Sequence, residues 1–411
     1  MTTNAVDEQQ LTLENNNIIH TFGRYNVEFV RGEGARLWDV DGNEYLDFLA
    51  GIAVCSLGHC NKAVVSAIKA QAEKLMHVSN YFYIEKRGVV AKKVSDMLCC
   101  GQEKPVPWKV FFTNSGAESN ECALKIARFL ANRKHNNDGS HGKVVVLKNS
   151  FHGRTFETLA ATAQDRFHTG LAPMSPVFLE VEANNCDELE QVFDQHGDEI
   201  SAMIFEPIQG ESGVHPLTTE YVQLIRELTS ENDALMICDE VQTGVCRTGA
   251  PFAFQLCDVL PDVVTIAKGI GDGFPCGLCA ANGEAAEVLQ PGDHGTTFGG
   301  SCLAVAAMNA TLDEMKRLDV LSNVVQASEY MRNKLECMNE IVEVRGKGLM
   351  LGAELETGID AHEVVAKALY EQRLVINATG DSTLRFLPPL TITKSDVDDF
   401  AKKLQAALAE F

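Results

Sequence analysis

Val263-Val264-Thr265-Ile266-Ala267-Lys268-Gly269 is the stretch on which the reading of this chain turns. Its β-branched residues, closed by an alanine, form a continuous apolar run of the length of a buried parallel strand. The strand ends at Lys268. Beyond it the chain turns to glycine and proline, at Gly269, Gly271, Gly273, Pro275 and Gly277. Open α/β sheets bind ligands at the carboxyl ends of their strands, so Lys268 stands where a ligand would be. An amine held in apolar surroundings gives up its proton more readily and attacks carbonyls. The plainer reading, a strand-end lysine reaching solvent, is the better one if this stretch stands alone.

A second stretch joins it. Leu235-Met236-Ile237-Cys238 reads as another buried strand, followed at once by Asp239, Glu240, Val241 and Gln242. A carboxylate ending one strand and a lysine ending another suit pyridoxal 5'-phosphate. That cofactor takes a lysine on its aldehyde and an acid that keeps its pyridine nitrogen protonated.

With 411 residues the chain is long enough for a large core and for more than one domain. Apolar and charged fractions of 45% and 22% are those of a soluble globular enzyme. No segment reaches the apolar length that spans a bilayer. Met1–Asn17 is polar and acidic, without the basic and apolar regions of a secretory signal. A net charge of −22 argues against nucleic acid and anionic membrane as partners. The 13 cysteines are scattered, several inside apolar runs, and read as small hydrophobes in a reducing cytoplasm. Cys276-Gly-Leu-Cys279 has no second pair and no histidine partner, so no metal centre is expected.

Taken in order, residues 1–18 read as a loose polar leader. Short strands and turns fill Thr21–Asp47, where Asp41-Gly42 marks a hairpin. Helical spacing follows at Lys62–Leu75 and Glu85–Leu98. From Lys109 the rhythm becomes strand, loop, helix. Strands are expected at Lys109–Thr113, Lys143–Leu147, Ser201–Phe205, Leu235–Cys238, Val263–Ala267 and Cys276–Ala281, and helices at Gly116–Lys134 and Tyr221–Ser230. Such alternation predicts a mostly parallel sheet covered on both faces. A long helical passage starts at Cys302. The remainder mixes helices with strands at Met350–Leu355, Leu374–Asn377 and Leu384–Phe386, and closes with an amphipathic helix, Lys394–Glu410. The expected fold class is α/β, with a large domain over 76–318 and a smaller α+β domain built from both chain ends, 19–75 and 319–411.

Other loops follow predicted strands at the same end. Thr113-Asn114-Ser115-Gly116-Ala117-Glu118 opens a helix, and its backbone N–H groups can hold a phosphate. Ser115 and Glu118 also spell a capping box, and both readings stay open. In Ser150-Phe151-His152-Gly153-Arg154-Thr155, Phe151 can stack on a flat ring and Arg154 can grip a carboxylate; a core phenylalanine and a surface arginine are the plainer reading. His152, a lone histidine, reads as structural. Glu206-Pro207-Ile208-Gln209-Gly210-Glu211 brings two acids to the same end, which alone read as solvated loop acids. Gly295-Thr296-Thr297-Phe298-Gly299-Gly300 is a polar turn suited to phosphate or an ordinary surface turn. Arg385, on the apolar strand Leu384–Phe386, needs a carboxylate partner.

Together these stretches resemble the class III, fold-type I pyridoxal-phosphate aminotransferases, and within them the branch that acts on N-acylated ornithine. The resemblance runs from Thr21–Gly34 to Leu384–Thr393. It rests on the ordered set FFTNSGAES, SFHGRT, FEPIQGES, CDEVQTG, IAKG and GDHGTTFGG. It implies a large-domain sheet of the seven-stranded type and a cytoplasmic homodimer with shared sites. It also implies transfer of an amino group from N2-acetyl-L-ornithine to 2-oxoglutarate. N-Succinylornithine, N-succinyldiaminopimelate, free ornithine and 4-aminobutyrate are the alternative donors; a non-catalytic cofactor-binding regulator is the alternative of another class. At matching positions, Lys268 would bond to the cofactor aldehyde, Asp239 would pair with the pyridine nitrogen and Gln242 would reach the phenolic oxygen. Val241 and Phe151 would sandwich the ring. Ser115, Gly116, Ala117 and Thr297 of a neighbouring subunit would hold the phosphate. Arg154 would bind the substrate α-carboxylate with Thr296 nearby. Arg385 would take the carboxylate of glutamate or 2-oxoglutarate, and Glu211 would pair with Arg385 in its absence. Cys55, Val245-Cys246, Asp272 and Ser301-Cys302 depart from the family's usual pattern.

Overall fold

The computed structural model describes residues 6–136, 138–409 and 411. A seven-stranded sheet forms its centre. In spatial order its strands are Trp108–Thr113, Gly277–Asn282, Val263–Ile266, Leu235–Asp239, Ile200–Phe205, Lys143–Leu147 and Phe178–Val181. All neighbours pair in parallel except Gly277–Asn282, which runs antiparallel to both its partners. Every residue of Ile200–Phe205, Leu235–Asp239 and Val263–Ile266 is buried. That burial on both faces is why these strands read as unbroken apolar runs.

Helix Gly116–Lys134 lies against the sheet through Cys122, Ala123, Ile126, Ala127 and Leu130. Small residues on that face let the helix approach closely. Its first turn is thereby fixed beside the strand ends. Ser115 caps it, accepting the Glu118 N–H at 3.2 Å. The reciprocal half of the expected capping box is shifted by one residue: the Glu118 carboxylate takes the Asn114 N–H at 2.8 Å.

Two four-stranded sheets flank the centre. One joins Phe29–Glu33, Arg36–Asp39 and Glu44–Asp47 to Leu374–Val375 from the other end of the chain. The second contains Ile341–Lys347, Met350–Leu355, Thr383–Phe386 and Asn377–Ala378. The expected strand Leu374–Asn377 is therefore two short strands in different sheets, broken at Ile376.

Three more expectations are corrected. The leader is not loose over Glu8–Asn17, which is helical; Asp7 Oδ1 accepts the Gln10 N–H at 2.9 Å. A capping acid with Glu8 in the first turn is enough to start it, although it buries no side chain. Positions 1–5 of the leader, and Glu410 of the closing helix, lie outside the described residues. The helix expected over Lys62–Leu75 stops at Ala72. Finally, strand Phe178–Val181 escapes the reading because so short an edge strand shows no period of its own, and helix Cys186–His196 goes unread with it, although Leu189 and Phe193 four apart and the Asn185 cap mark it.

Candidate active site

Because the strands ending at Leu147, Phe205, Asp239 and Ile266 run parallel, the loops that leave them open on one edge of the sheet. A cavity of about 420 Å³ lies there, within the size range of small-molecule sites. Lys268 and Asp239 line the same cavity.

Lys268 follows its strand in a left-handed conformation, φ 47°. A non-glycine residue pays roughly 1–3 kcal/mol for that region, and such strain gathers at functional sites. Gly269 follows directly, where a Cβ would come within 2.4 Å of Ser56 Oγ. Among the described residues the Lys268 ammonium makes no hydrogen bond or ion pair. Burial lowers its pKa, and the nearby Arg385 guanidinium adds to the effect against the opposing charges of Glu211 and Asp239. The sequence therefore places an amine at the cavity and the fold makes it readier to lose its proton.

Asp239 is buried and oriented by three donors. Its Oδ2 accepts from Asn120 Nδ2 and His152 Nδ1, each at 2.7 Å, and its Oδ1 accepts the Val241 N–H at 3.0 Å. His152 is thus part of the site after all. Asn120 was missed altogether, although it stands four positions after Gly116 on the same helix face. Glu206 is buried too, and burial with the neighbouring Asp239 charge pushes its carboxyl up to about 7.

Ser115, Gly116 and Ala117 line the cavity at the start of their helix. The first N–H groups of a helix lack partners within it, which suits a phosphate. Gly116 has no room for a side chain: a Cβ would lie 2.7 Å from Val241 Cγ1. Phe151, Val241 and Gln242 line the cavity as well. An acid, a lysine, two apolar side chains in the lining and a helix start together fit a phosphorylated pyridine aldehyde.

Arg154 reaches the cavity rim, exposed, with its guanidinium carbon 3.8 Å from the Phe167 ring centre and 5.6 Å from that of Phe151. Arg385 is buried at 1% exposure and meets Glu211 Oε1 through Nη1 at 2.7 Å. The same nitrogen donates to the Gly210 carbonyl at 2.8 Å, and Nε donates to Asn377 Oδ1 at 3.2 Å. Gln242 Nε2 donates to Glu211 at 3.0 Å, tying this pair to the cavity. Thr296 and Thr297 are not part of the lining. Thr296 Oγ1 accepts from Asn114 Nδ2, at 3.3 Å, and Asn114 does line it; Thr297 is exposed. Two of the departures from the family's pattern lie in neighbouring segments: Asp272 Oδ1 accepts the Leu57 N–H at 2.8 Å, and a Cβ on Gly273 would stand 3.8 Å from Cys55 Sγ.

Glu211 carries a pH signature. Burial favours its neutral form, but Arg385 and Lys268 hold its pKa down to about 2, below the ordinary 4.5. The pair therefore stabilises the fold above pH 4.5 and loses that contribution as pH falls toward 2. Urea unfolding of Glu211→Gln should show a flatter fall of stability across this window than the parent protein; identical slopes would mean that the pair does not set it.

The class-III aminotransferase family model matches residues 21–408. An acetylornithine aminotransferase from Caldanaerobacter subterraneus subsp. tengcongensis is 45% identical over 97% of this chain and 99% of its own. Among solved structures, the ornithine aminotransferase of Toxoplasma gondii superimposes with a TM-score of 0.91 at 30% identity, covering 98% of this chain and 95% of that one. The acetylornithine aminotransferase of Elizabethkingia anophelis does so with 0.85 at 31%, over the whole of both. A match of that extent, on a chain whose sheet edge gathers Lys268 and Asp239 into one cavity, places this protein in the class-III aminotransferase family, whose cofactor is pyridoxal phosphate.

Proposed function

We propose that the protein transfers the terminal amino group of N2-acetyl-L-ornithine to 2-oxoglutarate, giving N-acetyl-L-glutamate 5-semialdehyde and L-glutamate, in arginine biosynthesis. The observation that carries the two-substrate reading is the pair of buried Arg385 with half-buried Glu211 beside Lys268. An arginine that must bind one substrate's carboxylate and tolerate the other's lack of one needs an acid that can move on and off. The acyl donor is supported by the relative at 45% identity that carries this name.

When bound, pyridoxal phosphate supplies an electron sink for the substrate carbanion. The chain's own groups do the rest. Ser115, Gly116 and Ala117 would hold the phosphate, and Phe151 and Val241 would flank the ring. Asp239, kept in place by Asn120 and His152, would keep the ring nitrogen protonated, with Gln242 at the phenolic oxygen. Lys268 would bond the aldehyde and, once displaced, take the proton of the substrate carbon at Nζ. Arg154 would bind the substrate α-carboxylate, with Thr296 near, and Arg385 that of the 2-oxo acid once Glu211 swings away.

Residues 76–318 are read as the cofactor domain, and 19–75 with 319–411 as the smaller one. A cytoplasmic homodimer completes the proposal, with Thr297 serving the neighbouring subunit's phosphate site. Among the described residues no helix is long and apolar enough to cross a membrane. An apolar exposed group supports a self-association face: Tyr81, Phe82, Tyr83 and Phe298 are 94%, 62%, 101% and 61% exposed. Asn80 Nδ2 donates to the Thr296 carbonyl at 2.9 Å, so this group adjoins the Thr296–Thr297 turn. Tyr83→Asp should shift sedimentation toward monomer and cut activity with it. A fully active monomer would argue against the shared site.

The direct test mixes purified holoenzyme with N2-acetylornithine, N2-succinylornithine, ornithine and 4-aminobutyrate in turn. Conversion of the cofactor absorbance gives kcat/KM for each donor. N2-acetylornithine should rank first; a higher value for another donor names that one instead.

A further inference from the structure

Of the two acids that line the cavity, Asp239 has a task and Glu206 does not yet. Glu206 ends the buried strand Ile200–Phe205 and is itself 6% exposed. Its two oxygens serve two different loops. Oε2 accepts the Phe151 N–H at 2.9 Å, and Oε1 accepts the Gly210 N–H at 3.4 Å. Gly210 in turn offers its carbonyl to Arg385 at 2.8 Å. It sits tightly against Gln242, whose Oε1 would be 2.1 Å from any Cβ at that position. A single carboxyl thus connects the residue on the ring face to the seat of the carboxylate-binding arginine.

The two halves of the reaction load this connection differently. While Glu211 rests on Arg385, it holds the guanidinium directly. Once Glu211 leaves to admit a 2-oxo acid, Arg385 is positioned by the Gly210 carbonyl and Asn377. Gly210 is in turn held by the short strand Ile208–Gln209, by the Gln242 side chain and, through its N–H, by Glu206. We propose that Glu206 is a positioning residue that sets the Gly210 seat of Arg385, so that the 2-oxo acid half of the reaction depends on it more than the amine half does. This inference rests on the transamination reading above.

The test is Glu206→Gln in the holoenzyme. The amide keeps one acceptor oxygen, but its NH₂ must face the other N–H, leaving a buried donor unmet. Single-turnover absorbance should show KM for 2-oxoglutarate raised about tenfold. The amine half should stay within about twofold to threefold of the parent. Equal losses in both halves, or no loss in either, overturn the proposal, since a merely structural carboxyl would not split them. If the glutamine variant does not fold, Glu206→Asp, whose shorter side chain draws the carboxylate back from the already long Gly210 contact, should give the same split, and its absence counts against the proposal equally. A parent enzyme that converts no amine at all would refute the transamination reading instead, before any variant is compared.

Discussion

Lys268→Ala will fold and retain its cofactor but lose turnover by at least about 10³-fold. A positioned general base alone contributes roughly 10²–10⁴-fold, and this substitution would also remove the proposed covalent anchor. Retention follows from the parts of the site that the substitution leaves untouched. The helix start at Ser115–Ala117 and the oriented Asp239 remain, and neither depends on the lysine for its hydrogen bonds. The fold should not suffer, because Lys268 makes no ion pair among the described residues and alanine keeps the same Cβ at this left-handed position, leaving the backbone strain unchanged. The measurement is the cofactor absorbance after dialysis, followed by single-turnover conversion with N2-acetylornithine. A variant that still completes transamination would show that the base is another residue.

Asp239→Asn should cost nearly as much. Asparagine preserves the volume and removes the charge. With its oxygen kept on the Val241 N–H, the asparagine amide turns its NH₂ toward Asn120 Nδ2, a donor already committed to the His152 carbonyl, while the His152 ring accepts through Nδ1 only by changing tautomer. Breaking a buried charge pairing costs about 3–5 kcal/mol, roughly 10²- to 10⁴-fold in rate. The loss should fall on kcat in both half-reactions, since both need the ring nitrogen protonated. A variant with unchanged kcat would dissociate Asp239 from the ring nitrogen.

The outline of the site was legible because strand ends announce themselves: an apolar run followed at once by Lys268, by Asp239-Glu240 or by Glu206. Two parallel pairings, of Leu235–Asp239 with Val263–Ile266 on one side and with Ile200–Phe205 on the other, then bring those ends together without further instruction from the sequence. Supporting contacts were not legible in the same way. Asn120 lies inside a helix, where an asparagine has no distinguishing period, and only the crossing of that helix over Asp239 gives it meaning. A solitary histidine at 152 reads as structural until the fold sets it against the carboxylate 87 residues away. Likewise the helix over Glu8–Asn17 escaped notice because it has no apolar face to produce a period. Arg385 was legible for the opposite reason: a charge on an apolar strand demands a partner, and Glu211 is that partner.

The reversed direction of Gly277–Asn282 has a mechanical consequence. Its first residue lies opposite Thr113, at the ligand-binding edge, so the segment between Ile266 and Gly277 leaves that edge and comes straight back to it. Lys268 stands at one root of this clasp, and Gly273, Phe274, Pro275 and Cys276 form cavity wall toward the other. Wall and amine belong to one short tether pinned at both feet. Widening the mouth on that side would pull on the same tether that carries Lys268, the residue proposed to hold the cofactor.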